Sequence, residues 1–471
     1  MAIDFSKAFD MVTHTKLIHS LTQTTLRHNT VRWLSAYLSG RMASCRYHNT
    51  TSPYRHAHTG VPQGSCISPA LFNFFVSTYP TTPGLLSTSY ADDFTDSYTS
   101  PDIPTAARTL SAHAERVAAW ANERGLAIST QKSTITLFTS DKHQSHTHPD
   151  VSLDDSPLPL DRNPRILGVI FDPHFTFTPH ISYIISRAAP RLNLLRALAG
   201  TTWGQYKETL IITFKSLIRS LYTYSAPIWF PNSSPSAISK LQSLQNSALR
   251  TATGCVKMAN IDHLHAESHI IPVHNHLSLL CAQFLARTLI PSHPSHHTTT
   301  SPSGPRNIKH TVQSKFLPIV APYLQNGTLP PNEYKPTIQS LHSSTVLSTI
   351  ASRSNNRVLQ SPPPPISDEE SSLPRPYRTT LSQLRSGFCP ALKSYLERVG
   401  RAPDDLCPSC RGASHTTSHL FDCPSHPTPL HVKDLWERPC SVAPFLFSLP
   451  FPFHLPPLPS PHQSPPSRVA S

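Results

Sequence analysis

Two neighbouring aspartates, Asp92 and Asp93, interrupt the run Ser89-Tyr90-Ala91-Asp92-Asp93-Phe94. Adjacent acids sit poorly in an ordinary strand. Their carboxylates repel, and a fold that keeps them together usually neutralises them with a divalent cation. Alone, such a pair is more often a solvated turn than a metal site. On a tight hairpin beside a strand bearing Asp4, three carboxylates would bridge two Mg²⁺ ions. One ion would activate a hydroxyl nucleophile and the other stabilise a leaving group.

A second constellation lies near the other end, Cys407-x2-Cys410-x8-His419-x3-Cys423. Short Cys-x2-Cys spacing lets two thiolates grip one ion, and a His and Cys close behind complete a tetrahedron for Zn²⁺. His415 in place of His419 gives a less compact closure, so His419 is preferred. The other six of the nine cysteines lie apart, too scattered for a disulfide scaffold.

The elements that must position these residues are legible in outline. The first hundred and seventy residues alternate short apolar runs with helical patterns, which predicts an α+β domain. Ala2–Phe5 starts as a strand. Helices are expected after Asn29, from Ser68-Pro69, and after Ser100-Pro101 up to Gly125. Ser133–Thr139 and Ile166–Phe171 read as strands. From about 180 to 255 the pattern is helical. Between Arg187 and Lys257 nine Lys or Arg face a single acid, Glu208. Such a module could grip a phosphate backbone, or simply present a solvated face.

Composition sets the limits. The 471 residues allow two or three domains, and 40 Lys and Arg against 27 Asp and Glu favour a polyanionic partner. Charged residues are only 14% and prolines number 49, so part of the chain is expected to be unpacked. Residues 291–378 read as a Ser/Pro/His-rich linker with helical islands, and 429–471 as a disordered Pro-rich tail. No apolar stretch is long enough for a membrane span or a secretory signal.

The motifs together resemble the boxes of non-LTR (LINE-type, jockey- and R1-related) retrotransposon reverse transcriptases. Ile3-Asp4-Phe5-Ser6-Lys7-Ala8-Phe9-Asp10 resembles the first catalytic box, Gly60–Pro69 the box before the aspartate pair, and Tyr90-Ala91-Asp92-Asp93 the catalytic box itself. The three follow the family's order. Leu167–Asp172 resembles the primer grip, and the helices beyond fit the thumb.

The resemblance implies a right-hand polymerase palm over 1–175, a helical thumb and connection over 176–290, and a CCHC zinc-knuckle-like module over 379–428. It implies RNA-directed DNA synthesis on an RNA template, with dNTPs added to a DNA primer 3′-hydroxyl. Asp4, Asp92 and Asp93 would hold Mg²⁺ or Mn²⁺, Asp4 and Asp92 most directly. Phe9 would lie under the nucleotide sugar and exclude a 2′-hydroxyl. Gly60, Pro62, Gln63, Gly64 and Tyr90 would face template base and incoming nucleotide. Lys132 would protonate the leaving pyrophosphate or counter its charge. The knuckle would bind RNA or target DNA, with Arg385, Lys393, Arg398, Arg401 and Arg411 available for phosphates.

The family's fingers segment and upstream endonuclease have no counterpart in the sequence, and no ribonuclease H signature is present. The expectation is an N-terminally truncated polymerase, with apolar palm surface exposed and weak or no independent activity. A non-catalytic nucleic-acid-binding remnant is the alternative, and a scaffold using Pro-rich segments for protein contacts is a third. A nuclear location follows from the family's function; no targeting signal is seen.

Overall fold

A computed structural model describes residues 1–154, 156–200, 203–300, 311–450, 453 and 455–457. The chain divides into two compact units. One comprises Met1–Ile166 and Phe171–His174, the other Leu167–Ile170 and the chain from Phe175 onward.

The first unit is built on a three-stranded antiparallel sheet of β1 (Ala2–Asp4), β6 (Leu85–Tyr90) and β7 (Asp93–Tyr98), in the order β1-β7-β6. Between β1 and β6 come α1 (His14–Thr22) and α2 (His28–Leu38), then the short strands β2 (Met42–Ala43), β3 (Arg46–Tyr47), β4 (Thr50–Thr51) and β5 (Arg55–His56), and α3 (Ser68–Val76). After β7 comes α4 (Ile103–Arg124).

Helix α4 places Ala107, Leu110, Ala114, Val117 and Ala121 on its buried stripe and stops at Gly125, as its periodicity predicts. Its cap differs from expectation. Asp102, not Ser100, is the N-cap, its carboxylate accepting from the Thr105 N–H. Ser133–Thr139 contributes only isolated bridges, Thr134 to Ala2 and Ile135 to Leu160, rather than a continuous strand. The core beneath the sheet is aromatic. Phe94 meets Phe5 edge-on at 5.2 Å and stacks on Tyr79 at 4.7 Å, and Trp120 meets both Phe5 and Tyr79.

The second unit is helical. Helices Thr178–Ala197, Lys207–Phe214, Pro235–Thr253, Ile261–Ser268 and Val273–Thr288 enclose Phe214, Tyr222, Trp229 and Phe230. In the segment expected to be a linker with helical islands, Val312–Val320 and Tyr334–Ala351 are helices. The last segment departs from expectation. In the segment expected to be a disordered tail, Asp434–Glu437 and Pro439–Ser448 are helices. Their Leu435, Trp436, Val442 and Leu446 form one buried cluster with Tyr377, Leu381, Leu384 and Leu420. Proline misled here because Pro439 opens a helix, where its missing N–H costs nothing. Residues 301–310 and 458–471, parts of the same expectations, lie outside the described residues. Among the described residues, no helix is long and apolar enough to cross a membrane.

Candidate catalytic and metal centres

Register brings the three aspartates of the first unit together. β1 pairs with β7 so that Asp4 lies directly opposite Asp93, and β7 pairs with β6 so that Tyr90 also lies opposite Asp93. Ala91 and Asp92 form the two-residue turn between them. Ala91 has φ 55°, the positive value that tight hairpins need at this position. Alternation then sorts β7, with Asp93 exposed and Phe94 buried in the aromatic core.

The cluster is electrostatically uncompensated. Partial burial, then Asp92, then Asp4 push the Asp93 carboxyl above the ordinary carboxylate range. Among the described residues, the one cation within ion-pair distance is Lys132, whose Nζ lies 3.8 Å from Asp4 Oδ2; the lysine is exposed and Asp4 half-buried. Lys132 is carried there by backbone. The Ser129 N–H donates to the Asp4 carbonyl, and the Asp4 N–H donates to Ser133 Oγ. Three mutually repelling carboxylates, one of them with a raised pKa, are groups that a divalent cation would neutralise.

The other residues expected at this site gather round two turns. Gly60 has φ +88°, and a Cβ there would come within 2.9 Å of the Asp10 backbone. Only glycine allows this contact, through which the Gly60 N–H donates to Val12 O and the Val61 N–H to Phe9 O. Gln63 Nε2 donates to Asp10 Oδ1 at 3.2 Å, while Pro62 and Gly64 complete the same loop. Phe9 stacks on Phe72 at 4.2 Å and, with Pro69, Asn73, Ser89, Tyr90 and Ala91, lines a cleft of about 610 Å³. Tyr90 and Leu86 stand exposed on the edge strand β6.

Sequence reading missed Asp96. It is fully buried on β7, accepts from Tyr79 Oη at 2.7 Å, and lies 3.4 Å from His113 Nε2. Burial, opposed by Asp96, lowers the His113 pKa, and burial with Asp96 raises that of Tyr79. The alternation Asp93-out, Phe94-in, Asp96-in was the signal that could have found it.

In the second unit Cys407, Cys410, His419 and Cys423 converge, their ligand atoms all within 4.8 Å of one another. Cys407 Sγ and Cys423 Sγ are 3.9 Å apart, and Cys410 Sγ is 3.2 Å from His419 Nε2. Sulfurs about 2.3 Å from a tetrahedral zinc stand about 3.8 Å apart, so the spacing fits Zn²⁺. Local structure sets the donors. The Cys407 N–H donates to Ala413 O and the Arg411 N–H to Cys407 O, closing the Cys-x2-Cys turn. Thr416 caps the helix Thr417–Asp422, which carries His419, and Cys423 follows it one turn later. His415 is buried elsewhere; its Nδ1 accepts from the Lys393 N–H, and burial, His419 and Lys393 lower its pKa to about 4.

Several cations expected to face phosphates are engaged internally. Arg385 is fully buried, donating to Glu267, Glu370 and the Leu435 carbonyl. Lys207, one of the nine basic residues of the helical stretch, pairs with Glu267 at 3.2 Å and Glu370 at 3.1 Å. Arg378 completes the group by pairing with Glu208. Burial opposes every charge here. Even so, Arg385 and Lys207 hold Glu267 far below the usual carboxylate range, and the carboxylates keep Lys207 and Arg385 above their ordinary values. Lys393 is half-exposed and pairs with Asp404 at 3.1 Å. Arg398 packs over Phe388, while Arg401 and Arg411 remain at the surface.

With this geometry in place, similarity to known proteins becomes informative. Residues 1–171 match the family described as reverse transcriptase (RNA-dependent DNA polymerase). The chain is 27% identical to a probable RNA-directed DNA polymerase from transposon X-element of Drosophila melanogaster, over 59% of this chain and 30% of that protein. It is 29% identical to the corresponding protein from transposon BS of the same fly, over 62% and 34%. Against the RNA-directed DNA polymerase from mobile element jockey of Drosophila funebris the figures are 24%, 54% and 28%. The chain thus spans about a third of the length of the curated relatives it matches.

Proposed function

We propose that the first unit, whose residues 1–171 match the reverse transcriptase family, is a polymerase palm of the LINE type that joins deoxynucleotides to a primer 3′-hydroxyl on an RNA template. The observation that carries the reading is the strand register that sets Asp4 opposite Asp93, with Asp92 in the turn between paired strands. Asp4, Asp92 and Asp93 are the groups that would hold Mg²⁺ or Mn²⁺. Such ions, when bound, supply activation of the hydroxyl and stabilisation of the leaving pyrophosphate.

The chain's own residues do the positioning. Phe9, braced by Phe72, forms the floor of a cleft in which a 2′-hydroxyl would collide with its ring. Gln63, tied to Asp10, steadies the Gly60–Gly64 loop beside the Phe9–Asp10 turn. Lys132 reaches the edge of the carboxylate cluster, where an ammonium either protonates the leaving pyrophosphate or counters its charge.

In the second unit, Cys407, Cys410, His419 and Cys423 are the ligands for one structural Zn²⁺. Template RNA, primer or target DNA and dNTPs are the partners of this reading, and a nucleus is where such partners meet. Primer extension on an RNA template with Mg²⁺ or Mn²⁺ tests it, comparing the chain with its Asp92→Ala, Asp93→Ala double variant. Incorporation that disappears in the variant supports a working palm. A folded, RNA-binding protein that incorporates nothing would leave the non-catalytic reading in its place.

A further inference from the structure

The segment between α2 and the Gly60 loop is a β-arm that, among the described residues, packs on nothing. Its lower tier pairs Met42 with His56 and Ala43 with Arg55; its upper tier pairs Arg46 with Thr51 and Tyr47 with Thr50. The Ala57 N–H donates to Arg41 O, and the Ser52 N–H to Cys45 O between the tiers. Every residue from 42 to 56 is exposed. A two-stranded hairpin with neither face buried is marginal in water, so an arm of this kind gains most of its order from what lies against it.

Its chemistry narrows the occupant. From Met11 to Ala91 the chain contains no Asp or Glu. Among the described residues, Arg41, Arg46 and Arg55 have no acidic partner. Between these cations stand aromatic faces, with Tyr47 74% and Tyr54 67% exposed. At the arm's base Trp33, 57% exposed, stacks on Tyr37 at 5.7 Å, and the Arg41 guanidinium lies over the Tyr37 ring at 5.1 Å. Arginines alone would suit any polyanion. Arginines alternating with exposed aromatic rings suit a polyanion whose bases are free to stack. The arm is also joined to the proposed site. Its return strand leads through the Thr13–Thr59 bridge into Gly60, whose backbone packs on the Phe9–Asp10 turn.

We propose that the Arg41–His58 arm, with Trp33 and Tyr37 at its base, is a binding surface for single-stranded nucleic acid, its arginines meeting phosphates and its tyrosines stacking on bases. The identity of the partner rests on the polymerase reading, but the surface can be tested without catalysis. The full chain would be titrated, at several salt concentrations, into labelled single-stranded RNA of mixed sequence and into a duplex of equal length. Two variants join it, Tyr47→Ala with Tyr54→Ala and Arg46→Gln with Arg55→Gln, all four positions being exposed.

The tyrosine pair should weaken single-strand binding by about tenfold or more and leave duplex binding unchanged. The arginine pair should weaken both and flatten the salt dependence by roughly two phosphate contacts. Equal weakening of both nucleic acids by the tyrosine pair would overturn the single-strand assignment. Unchanged binding in both variants would overturn the arm as a nucleic-acid surface. A tyrosine pair that lowers the melting temperature without changing affinity would give the tyrosines a role in folding rather than binding and overturn the proposal too. If the unaltered chain binds neither nucleic acid, the polymerase reading falls along with the arm; normal binding with unaffected variants sinks the arm alone.

Discussion

Each unit holds a group of three carboxylates, and the two groups are opposites. Asp4, Asp92 and Asp93 lie near the surface, repel one another, and have one exposed lysine at 3.8 Å for company. Glu208, Glu267 and Glu370 are matched by Lys207, Arg378 and Arg385, with Glu267, Glu370 and Arg385 fully buried. In the first group a carboxyl pKa rises; in the second the Glu267 pKa falls. Acids that the fold pairs internally hold the fold together. Acids that it brings together with only one exposed lysine are, on the proposed polymerase reading, the ones left for charge from outside the protein.

The largest effect should come from the unpaired set. Asp92→Ala should cut primer extension by about 10³-fold, the scale of losing a preorganised electrostatic group, and leave thermal stability nearly unchanged. Equal loss of stability would erase the contrast. Arg385→Ala should do the reverse. It strands Glu267 and Glu370 in the interior, which costs about 3–5 kcal/mol, read as a fall in the urea midpoint of the second unit. Adding Glu267→Gln should restore part of that loss, and a double-mutant cycle with no coupling would show that the pair is not one network.

Smaller effects refine the comparison. Chelation of Zn²⁺, or Cys410→Ser, should lower the melting temperature of the second unit by several degrees, because the apolar cluster around Trp436 persists. The first unit should not respond.

The smallest effect is a sign test. Asp93→Asn relieves repulsion in the metal-free palm and should stabilise it by less than about 1 kcal/mol after solvent screening. That gain should shrink as pH falls through the raised Asp93 pKa, where the carboxyl protonates in any case. Glu267 runs the other way. Its folded pKa is depressed, so its contribution is full above the ordinary 4.5 and is lost as pH drops below that value. Acid titration monitored for both variants checks the opposed signs.

The first group was legible in the sequence. Tyr90-Ala91-Asp92-Asp93 reads as a turn, and two adjacent acids need an explanation wherever they occur. The Cys/His cluster was legible for the same reason, since Cys-x2-Cys and His-x3-Cys are local spacings that a turn and a helix convert directly into geometry. Arg385 and Lys207 were misread because a basic side chain carries no local sign of burial. The helices at 434–448 were missed because proline content outweighed four apolar residues whose partners lie far back in the chain.

What the sequence by itself determined, then, is the chemistry bound to short spacing: the aspartate hairpin, the glycine loop, the cysteine and histidine cluster, and the family they resemble. Only the tertiary structure decided which charges would be neutralised internally. Lys207 meets Glu370 across 163 residues, and Arg385 meets Glu267 across 118. Such pairings depend on how helices pack rather than on spacing along the chain. Local chemistry can be read from residue order, but desolvation is a property of the folded interior.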